Sequence, residues 1–452
     1  MLATPVLRMS NASGAALRPV ESPARVAAGS GDKPAAALPA IPRTLEESGL
    51  EFSFLVELLV KILFVRGSLR LAELVSHVGL GPGVLDPQLQ FLRTQKLAEV
   101  TRRGETEGAT TYALTELGRA RATDFLRRSQ YSGPAPVTLE AYLRQVERQS
   151  IGSMGVSRDG LYAAFSDLVV DAGLLDQFGA GMNSCGSMFI YGPAGSGKTY
   201  LAERLVRLLS GDVVVPHAIV VAGEVIQVYD VLVHRAVPMP EQGLDRGTGH
   251  DPRWVLCRRP VVMTGAELTL AMVDLELDQQ TRFYQAPQQV KANNGLFILD
   301  DLGRQLVSAR DLMNRWIVPL DRREDYLTLH TGQKFRVPFD VIVVFSSNLQ
   351  PAELADEAFL RRLGYKIYVG PLDPRRYRAV FEKVCVESGV AYDAEGFAWL
   401  CLQHERQQRP MLACLPGDLI GQVRDYARFH GEPPQMSPAL LQWAWNNYFT
   451  RQ

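Results

Sequence analysis

One octapeptide in the 452-residue sequence combines three glycines with a lysine and a hydroxyl side chain. These residue types bind phosphate, and their spacing satisfies G-x-x-x-x-G-K-[ST] in full. Glycines let backbone N–H groups curl around phosphate oxygens, and a following helix adds partial positive charge at its N-terminus. We expect Lys198 to reach the β- and γ-phosphates of ATP, and the Thr199 hydroxyl to bind Mg²⁺. The octapeptide, called the P-loop below, is Gly192, Pro193, Ala194, Gly195, Ser196, Gly197, Lys198 and Thr199.

The segments on either side of the P-loop fit this interpretation. Ser187–Tyr191 is a short apolar strand, and Leu201, Leu205 and Leu208 predict a helix with one apolar face. The alternative is a chance glycine turn before a helix. Strand, loop and helix in this order favour a nucleotide site.

A second motif consists of two carboxylates at the end of an apolar strand. The strand 295–299 leads into Asp300 and Asp301. In P-loop chemistry Asp300 would complete the Mg²⁺ shell and Asp301 would polarise the attacking water. Buried strands often end in Asp at a turn, so the motif is weak alone. It gains weight because it follows a complete P-loop by about a hundred residues.

Over about 165–450 the sequence resembles the AAA+ ATPase superfamily. Asn348 follows the strand 341–345 where this family carries its first sensor, which helps orient the attacking water. The segment 356–362 resembles the segment that bears the arginine finger, at Arg361 or Arg362. The alternatives are a turn residue for Asn348 and a solvated helix end for the arginines. The resemblance implies ATP hydrolysis by a homo-oligomer, a hexameric ring in many members.

Two positions depart from the family pattern. Asp301 stands where many members have Glu, and its shorter side chain must lie closer to the water. Gly417 stands where the second-sensor arginine is usual, and neither Arg409 nor Arg424 has the usual spacing. These departures give some weight to the hypothesis that the protein is a nucleotide-gated switch, which binds ATP but hydrolyses little of it.

A long stretch, about 223–294, precedes the two carboxylates. It contains Gly243, Gly247 and Gly249 and an apolar run at 261–265. Related ATPases place substrate-facing loops in comparable inserts, so one hypothesis puts this stretch on the working face of the ring. A solvated surface loop is the alternative.

The remaining elements predict an α/β protein. We expect a P-loop NTPase parallel sheet with helices on both faces and a C-terminal helical lid, preceded by a winged-helix domain. The Ala-, Pro-, Gly- and Ser-rich start cannot bury enough apolar surface to fold, and its prolines break the alternative targeting helix. The predicted boundaries are a disordered tail at 1–43, the winged helix at 44–130, a linker at 131–160, the ATPase core at 161–370 and the lid at 371–452.

The predicted winged helix allows two kinds of partner. Its third helix would read DNA, but it presents a mixed face with Asp86, Gln88, Gln90, Arg93 and Lys96. Over 46–128 there are 11 basic and 11 acidic residues, and a neutral domain neutralises phosphates poorly. Protein interaction is therefore favoured over DNA binding, although four arginines form a local basic group: Arg102, Arg103, Arg127 and Arg128.

Composition restricts the function classes further. The net charge is -1, and no run approaches the roughly 18 apolar residues that cross a bilayer. The five cysteines are scattered, which argues against a disulfide framework or zinc site. We expect a soluble cytoplasmic ATPase that remodels a protein partner. The alternatives are a DNA-associated regulator or loader and the nucleotide-gated switch.

Overall fold

The computed structural model describes residues 38–104, 107–238, 250–354 and 357–449. Residues 1–37 of the predicted tail lie outside the described residues, and so do Gly243, Gly247 and Gly249. Across the described ranges, no helix is both long and apolar enough to cross a membrane.

The N-terminal region packs helices against a three-stranded antiparallel sheet of order β1-β3-β2. The third long helix buries Val84, Leu85, Leu89 and Leu92, as its periodicity predicts. Gln88 was expected on the outer face but is buried, because it lies one turn after Val84. The elements are α1 Leu45–Ser48, α2 Phe52–Arg66, β1 Leu69–Arg70, α3 Leu71–Val78, α4 Pro82–Thr94, β2 Ala98–Arg102, β3 Thr111–Leu114 and α5 Glu116–Arg128.

The central region combines helices with strands, and among the described residues β6 to β12 follow one another without an α-helix between them. Its first half contains β4 Val137–Thr138, α6 Leu139–Arg148, α7 Arg158–Ala164, α8 Ala172–Asn183, β5 Ser187–Tyr191, α9 Lys198–Leu205, β6 Asp212–Pro216, β7 Ala218–Val221, β8 Glu224–Gln227, β9 Trp254–Arg258 and β10 Val261–Thr264. Its second half contains β11 Glu276–Leu277, β12 Tyr284–Gln285, α10 Gln288–Lys291, β13 Gly295–Leu299, α11 Ala309–Arg322, β14 Glu324–Thr328, β15 Lys334–Pro338, β16 Val341–Ser347, α12 Pro351–Leu354, α13 Glu357–Leu360 and β17 Tyr365–Tyr368.

Five of these strands form a parallel sheet of order β10-β13-β16-β5-β17. Its three central strands, β13, β16 and β5, are buried on both faces, so their side chains alternate between two apolar clusters. On β13, Leu296 and Ile298 pack with α8 and α9, whereas Phe297 and Leu299 pack with α11 around Trp316. This confirms the predicted parallel sheet with helices on both faces.

Strand β10 corrects the hypothesis for the stretch 223–294. The apolar run 261–264 pairs in parallel with β13 along its whole length, so it is an edge strand of the core sheet. A run of three apolar residues is too short for its periodicity to identify the element it forms. This part of the stretch therefore does not form a substrate-facing loop.

A second, mixed sheet of order β11-β12-β8-β7-β4 lies next to the N-terminal region. Ala218 and Val225 of this sheet share the apolar core of the N-terminal helices. The stretch 131–160, predicted as a linker, supplies β4, which pairs with β7, and α6, which packs on the same sheet. A strand of two residues carries too little pattern to be recognised in the sequence.

The C-terminal region is helical, as predicted after Pro371. Its core is formed by aromatic and aliphatic side chains that include Tyr377, Phe381, Leu419 and Trp445. The helices are α14 Pro374–Ser388, α15 Ala394–Arg406, α16 Leu415–His430 and α17 Pro438–Tyr448.

Candidate functional site

The P-loop lies at the carboxyl end of β5, between β16 and β17, and leads directly into α9. Its backbone is left-handed at Gly195 and Gly197, with φ of 80° and 92°. Side-chain-bearing residues rarely adopt these angles, so the glycines allow the tight turn. The strand predicted before the P-loop is β5, and the helix predicted after it is α9, so both predictions are confirmed.

Thr199 and Asp300 meet at this edge of the sheet. The Thr199 hydroxyl donates to Oδ2 of Asp300 over 2.7 Å, although the two residues are 101 positions apart. Oδ1 of Asp300 is buried and, within the described part of the chain, has no hydrogen-bond partner. A hydroxyl beside a carboxylate with an unsatisfied buried oxygen is a donor set that suits Mg²⁺.

The side chain of Lys198 forms hydrogen bonds within the P-loop and with Asn348, which follows β16. Its ammonium donates to the carbonyl oxygens of Gly192 and Pro193 over 3.0 and 2.9 Å, and to Oδ1 of Asn348 over 2.7 Å. Burial lowers the pKa of Lys198, and the nearby charges of Asp301 and Asp300 oppose this shift. A cation held by neutral carbonyl groups is available to pair with phosphate.

Asn348 connects this lysine to the second carboxylate. Its amide nitrogen donates to Oδ1 of Asp301 over 2.9 Å while its oxygen accepts from Lys198. Asp301 has a left-handed backbone with φ of 50°, which is uncommon outside glycine. Such backbone conformations concentrate at functional sites. The structure thus brings together Lys198, Thr199, Asp300, Asp301 and Asn348, which the sequence scatters over 150 residues.

The two candidate finger arginines differ in their surroundings. Arg361 keeps 82 % of its side chain exposed and lies 3.6 Å from Glu357, one turn earlier. Arg362 is mostly covered and pairs with Asp321 of α11 over 3.6 Å, while its carbonyl oxygen accepts from the Ser187 hydroxyl. Asp356 of the same motif lies outside the described residues. Arg361 is therefore the better placed of the two to reach a neighbouring molecule.

A cavity of about 520 Å³ opens beside Ser196 and Gly197 of the P-loop. Its volume lies in the range of small-molecule sites. Sequence reasoning missed it, because four separate segments supply its walls and, apart from the P-loop, none of them carries a motif. The apolar lining includes Leu168, Val170, Leu174, Leu201, Val369, Leu372, Val380 and Val384, and charged groups include Asp171, Arg376, Lys383 and Glu387.

The start of α16 rests directly on the P-loop. The backbone N–H of Cys414 donates to the carbonyl oxygen of Gly195 over 3.0 Å. A Cβ on Gly195 would lie 2.5 Å from the Cys414 sulfur, so the two segments of the chain are in close contact. Sequence reasoning missed this residue and considered Gly417, Arg409 and Arg424 instead.

The sequence departs from the family pattern at the second sensor, and the three positions considered for it lie in the C-terminal helical region. A Cβ at Gly417 would meet no described atom within 4 Å. The Arg409 guanidinium lies 4.0 Å from the centre of the Phe449 ring, within the C-terminal helices. Arg424 is exposed on α16.

The exposed face of α4 is mixed, with Asp86, Gln90, Phe91 and Arg93 all exposed. Phe91 and Phe52 pack edge to face at 5.5 Å and remain 39 % and 36 % exposed. Of the basic group predicted nearby, Arg128 pairs with Glu57 over 3.2 Å and Arg127 with Asp124 over 3.7 Å. These pairs reduce the positive charge available for DNA.

One protein-family model matches the chain, described as a domain of unknown function (DUF8689), over residues 373–447. It covers the C-terminal helices alone. No curated protein matches the sequence.

Several solved structures are similar at low identity. NtrX from Brucella abortus is 12 % identical with a TM-score of 0.39, and the match spans 63 % of this chain but only 62 % of that structure. The RuvB Holliday junction branch migration motor of Thermotoga maritima is 10 % identical over 65 % of this chain and 70 % of its own, with a TM-score of 0.34. Domain III of the Thermotoga maritima replication initiation protein DnaA is 12 % identical over 66 % of this chain and 100 % of its own, with a TM-score of 0.37. At these values the similarity says nothing of activity.

Proposed function

We propose that this chain is an AAA+ ATPase that binds ATP with Mg²⁺ and hydrolyses it to ADP and phosphate. One observation carries the proposal. Two hydrogen-bonded groups meet at the carboxyl end of β5, the strand that precedes the P-loop. Thr199 bonds to Asp300, and Asn348 bonds to both Lys198 and Asp301. A glycine turn without chemistry has no need of two half-buried carboxylates at the end of another strand of the sheet.

The residues divide the work between binding and hydrolysis. Thr199 and Asp300 would hold Mg²⁺, which when bound neutralises phosphate charge. Lys198 exchanges its carbonyl partners for phosphate oxygens, and the P-loop N–H groups bind the remaining charge. Asp301 accepts a proton from the attacking water, and the Asn348 amide keeps that carboxylate in place.

The cavity beside Gly197 is the proposed site of the nucleoside. Its aliphatic lining suits the faces of a purine, while charged groups such as Arg376 and Lys383 stand among its lining residues. A base held there extends naturally from phosphates bound in the P-loop, because Ser196 and Gly197 belong to both sites.

We propose the same domain organisation as the sequence predicts, with the linker revised. Residues 44–130 form the winged helix, 161–370 the ATPase core and 371–452 the lid. The exposed Phe52 and Phe91 pair favours a protein partner for the winged helix over DNA. Assembly as a homo-oligomer, a hexameric ring by family resemblance, would place Arg361 at a neighbour's nucleotide.

ATP turnover by the full chain tests the proposal. We expect Mg²⁺-dependent turnover that rises steeply with protein concentration, is unchanged by duplex DNA, and is abolished by Lys198→Ala. Lys334→Ala, at an exposed position of β15, is the control and should match the wild type. Stimulation by DNA would support the regulator or loader instead. Tight ATP binding without turnover would support the switch, and normal turnover by Lys198→Ala would refute the site.

A further inference from the structure

The side chain of Gln305 ties the two carboxylates to a neighbouring strand. Its amide nitrogen lies 3.0 Å from the carbonyl oxygen of Asp300 and 3.2 Å from that of Asp301. The same nitrogen lies 3.3 Å from the carbonyl oxygen of Gly265, just after β10. Its oxygen accepts from the backbone N–H of Gly303 over 2.8 Å. One amide therefore contacts four backbone groups around the turn.

This turn carries the unusual backbone on which the site depends. Asp301 is left-handed, and Gly303 follows with φ of 105°. On the sheet side the turn is held through Leu302, whose N–H donates to Ser346 and whose carbonyl oxygen accepts from the Ser347 hydroxyl, each over 2.7 Å. Gln305 contacts the carbonyl oxygens of Asp300 and Asp301, and the Asp301 oxygen also accepts from the Arg304 backbone N–H over 3.0 Å.

We propose that Gln305 is a positioning residue for hydrolysis, an inference that rests on the proposed ATPase function. Its donors fix the backbone of Asp301, and this backbone aims the carboxylate at the Asn348 amide. Gln305 binds backbone carbonyl groups, so it acts through Asp301 and takes no part in the proton transfer. Loss of its N–H donors would leave the P-loop intact but let Asp301 turn away.

The test compares Gln305→Glu and Gln305→Ala with the wild type in the full chain. Gln305→Glu keeps an oxygen for the Gly303 N–H but replaces the donors with a carboxylate that repels the carbonyl oxygens. Gln333→Glu makes the same chemical change on the exposed β14–β15 turn and serves as the matched control. Turnover, the dissociation constant of a fluorescent ATP analogue, and the melting temperature are measured for each variant.

We expect both Gln305 variants to lower kcat by about tenfold or more while nucleotide affinity changes by less than about twofold. Gln333→Glu should match the wild type in all three measurements. Unchanged turnover in both Gln305 variants overturns the inference, as does a parallel loss of turnover, affinity and melting temperature, which indicates a structural role. An inactive wild type is a distinct result that overturns the proposed function and this inference with it.

Discussion

The side-chain amide of Asn348 donates to Oδ1 of Asp301 over 2.9 Å, which joins the ends of β16 and β13. If Asp301 activates water, this bond sets the direction of its carboxylate. Asn348→Ala should lower turnover about 10²-fold, as for other lost polar donors in active sites, and leave ATP binding within a few-fold. Steady-state turnover and equilibrium binding check this, with exposed Asn447→Ala as control. Equal turnover in the two variants would contradict the role.

The contact between Gly195 and Cys414 predicts a specific steric effect. Gly195→Ala places a methyl group 2.5 Å from the Cys414 sulfur in a left-handed backbone, so ATP affinity should fall markedly. Gly211→Ala is a matched control, since φ is 81° and a Cβ there meets no described atom within 4 Å. Gly211→Ala therefore has only the energetic cost of a left-handed backbone at a residue with a side chain, about 1–2 kcal/mol.

A double variant separates the clash from backbone strain. Cys414→Ala removes the sulfur, and the next described atom lies 3.6 Å from the new methyl group. Gly195→Ala with Cys414→Ala should therefore recover part of the lost ATP affinity. Purely additive losses in a double-mutant cycle would show that the contact is unimportant.

Exposed Arg361 should act across a subunit boundary. Arg361→Ala is expected to lower turnover on the order of 10³-fold or more while ATP binding is kept. Mixing this variant with Asp301→Asn should restore part of the activity, because some interfaces then pair an intact Asp301 with an intact Arg361. If the mixture recovers no activity, the arginine finger lies elsewhere.

Arg362→Ala should mainly lower the stability of the fold, since the Arg362 side chain pairs with Asp321.

Arg253 forms a buried ion pair with Asp251, and both side chains are at most 6 % exposed. Arg253 also donates to the carbonyl oxygens of Ser48 and Pro136, so it joins the N-terminal region to the central region. Arg253→Ala leaves a buried carboxylate without its cation and should cost about 3–5 kcal/mol of unfolding free energy. The exposed pair of Arg144 and Glu140 is the control, and Arg144→Ala should cost less than about 1 kcal/mol. Urea unfolding measures both, and equal losses would contradict the prediction.

Two buried histidines predict a loss of stability in acid. Burial lowers the pKa of His234 and of His404 below the ordinary 6.5. Each has one ring nitrogen that accepts a hydrogen bond, from the Asp230 N–H and from the Tyr377 hydroxyl, when the other donates to a carbonyl oxygen. Protonation would remove that acceptor.

The sign follows from proton linkage. The unfolded chain takes up these protons first as pH falls below about 6.5, so stability is full above that pH and declines below it. Each histidine contributes at most about 1.4 kcal/mol per pH unit. Urea midpoints between pH 7.5 and 5.5 should fall, with a shallower slope for His404→Asn. Identical slopes would remove His404 from the explanation.

The sequence alone determined the local parts of the site. The P-loop glycines, the strand before Asp300, the strand before Asn348 and the helix after Lys198 all follow from patterns within a few residues. They could be predicted because strand alternation, helix periodicity and glycine backbone preferences are short-range properties. The same patterns predicted the parallel sheet and the helical C-terminus.

Only the tertiary structure decided which distant residues meet. The order β10-β13-β16-β5-β17 places Asn348 between Lys198 and Asp301, and it turns the run 261–264 from a supposed loop into a core strand. The contact of Cys414 with Gly195, the cavity beside Gly197 and the contact of Gln305 with Gly265 each join distant segments that share no motif. Apolar periodicity fixes which face of an element is buried but not which element covers it, because burial stabilises any well-packed neighbour alike.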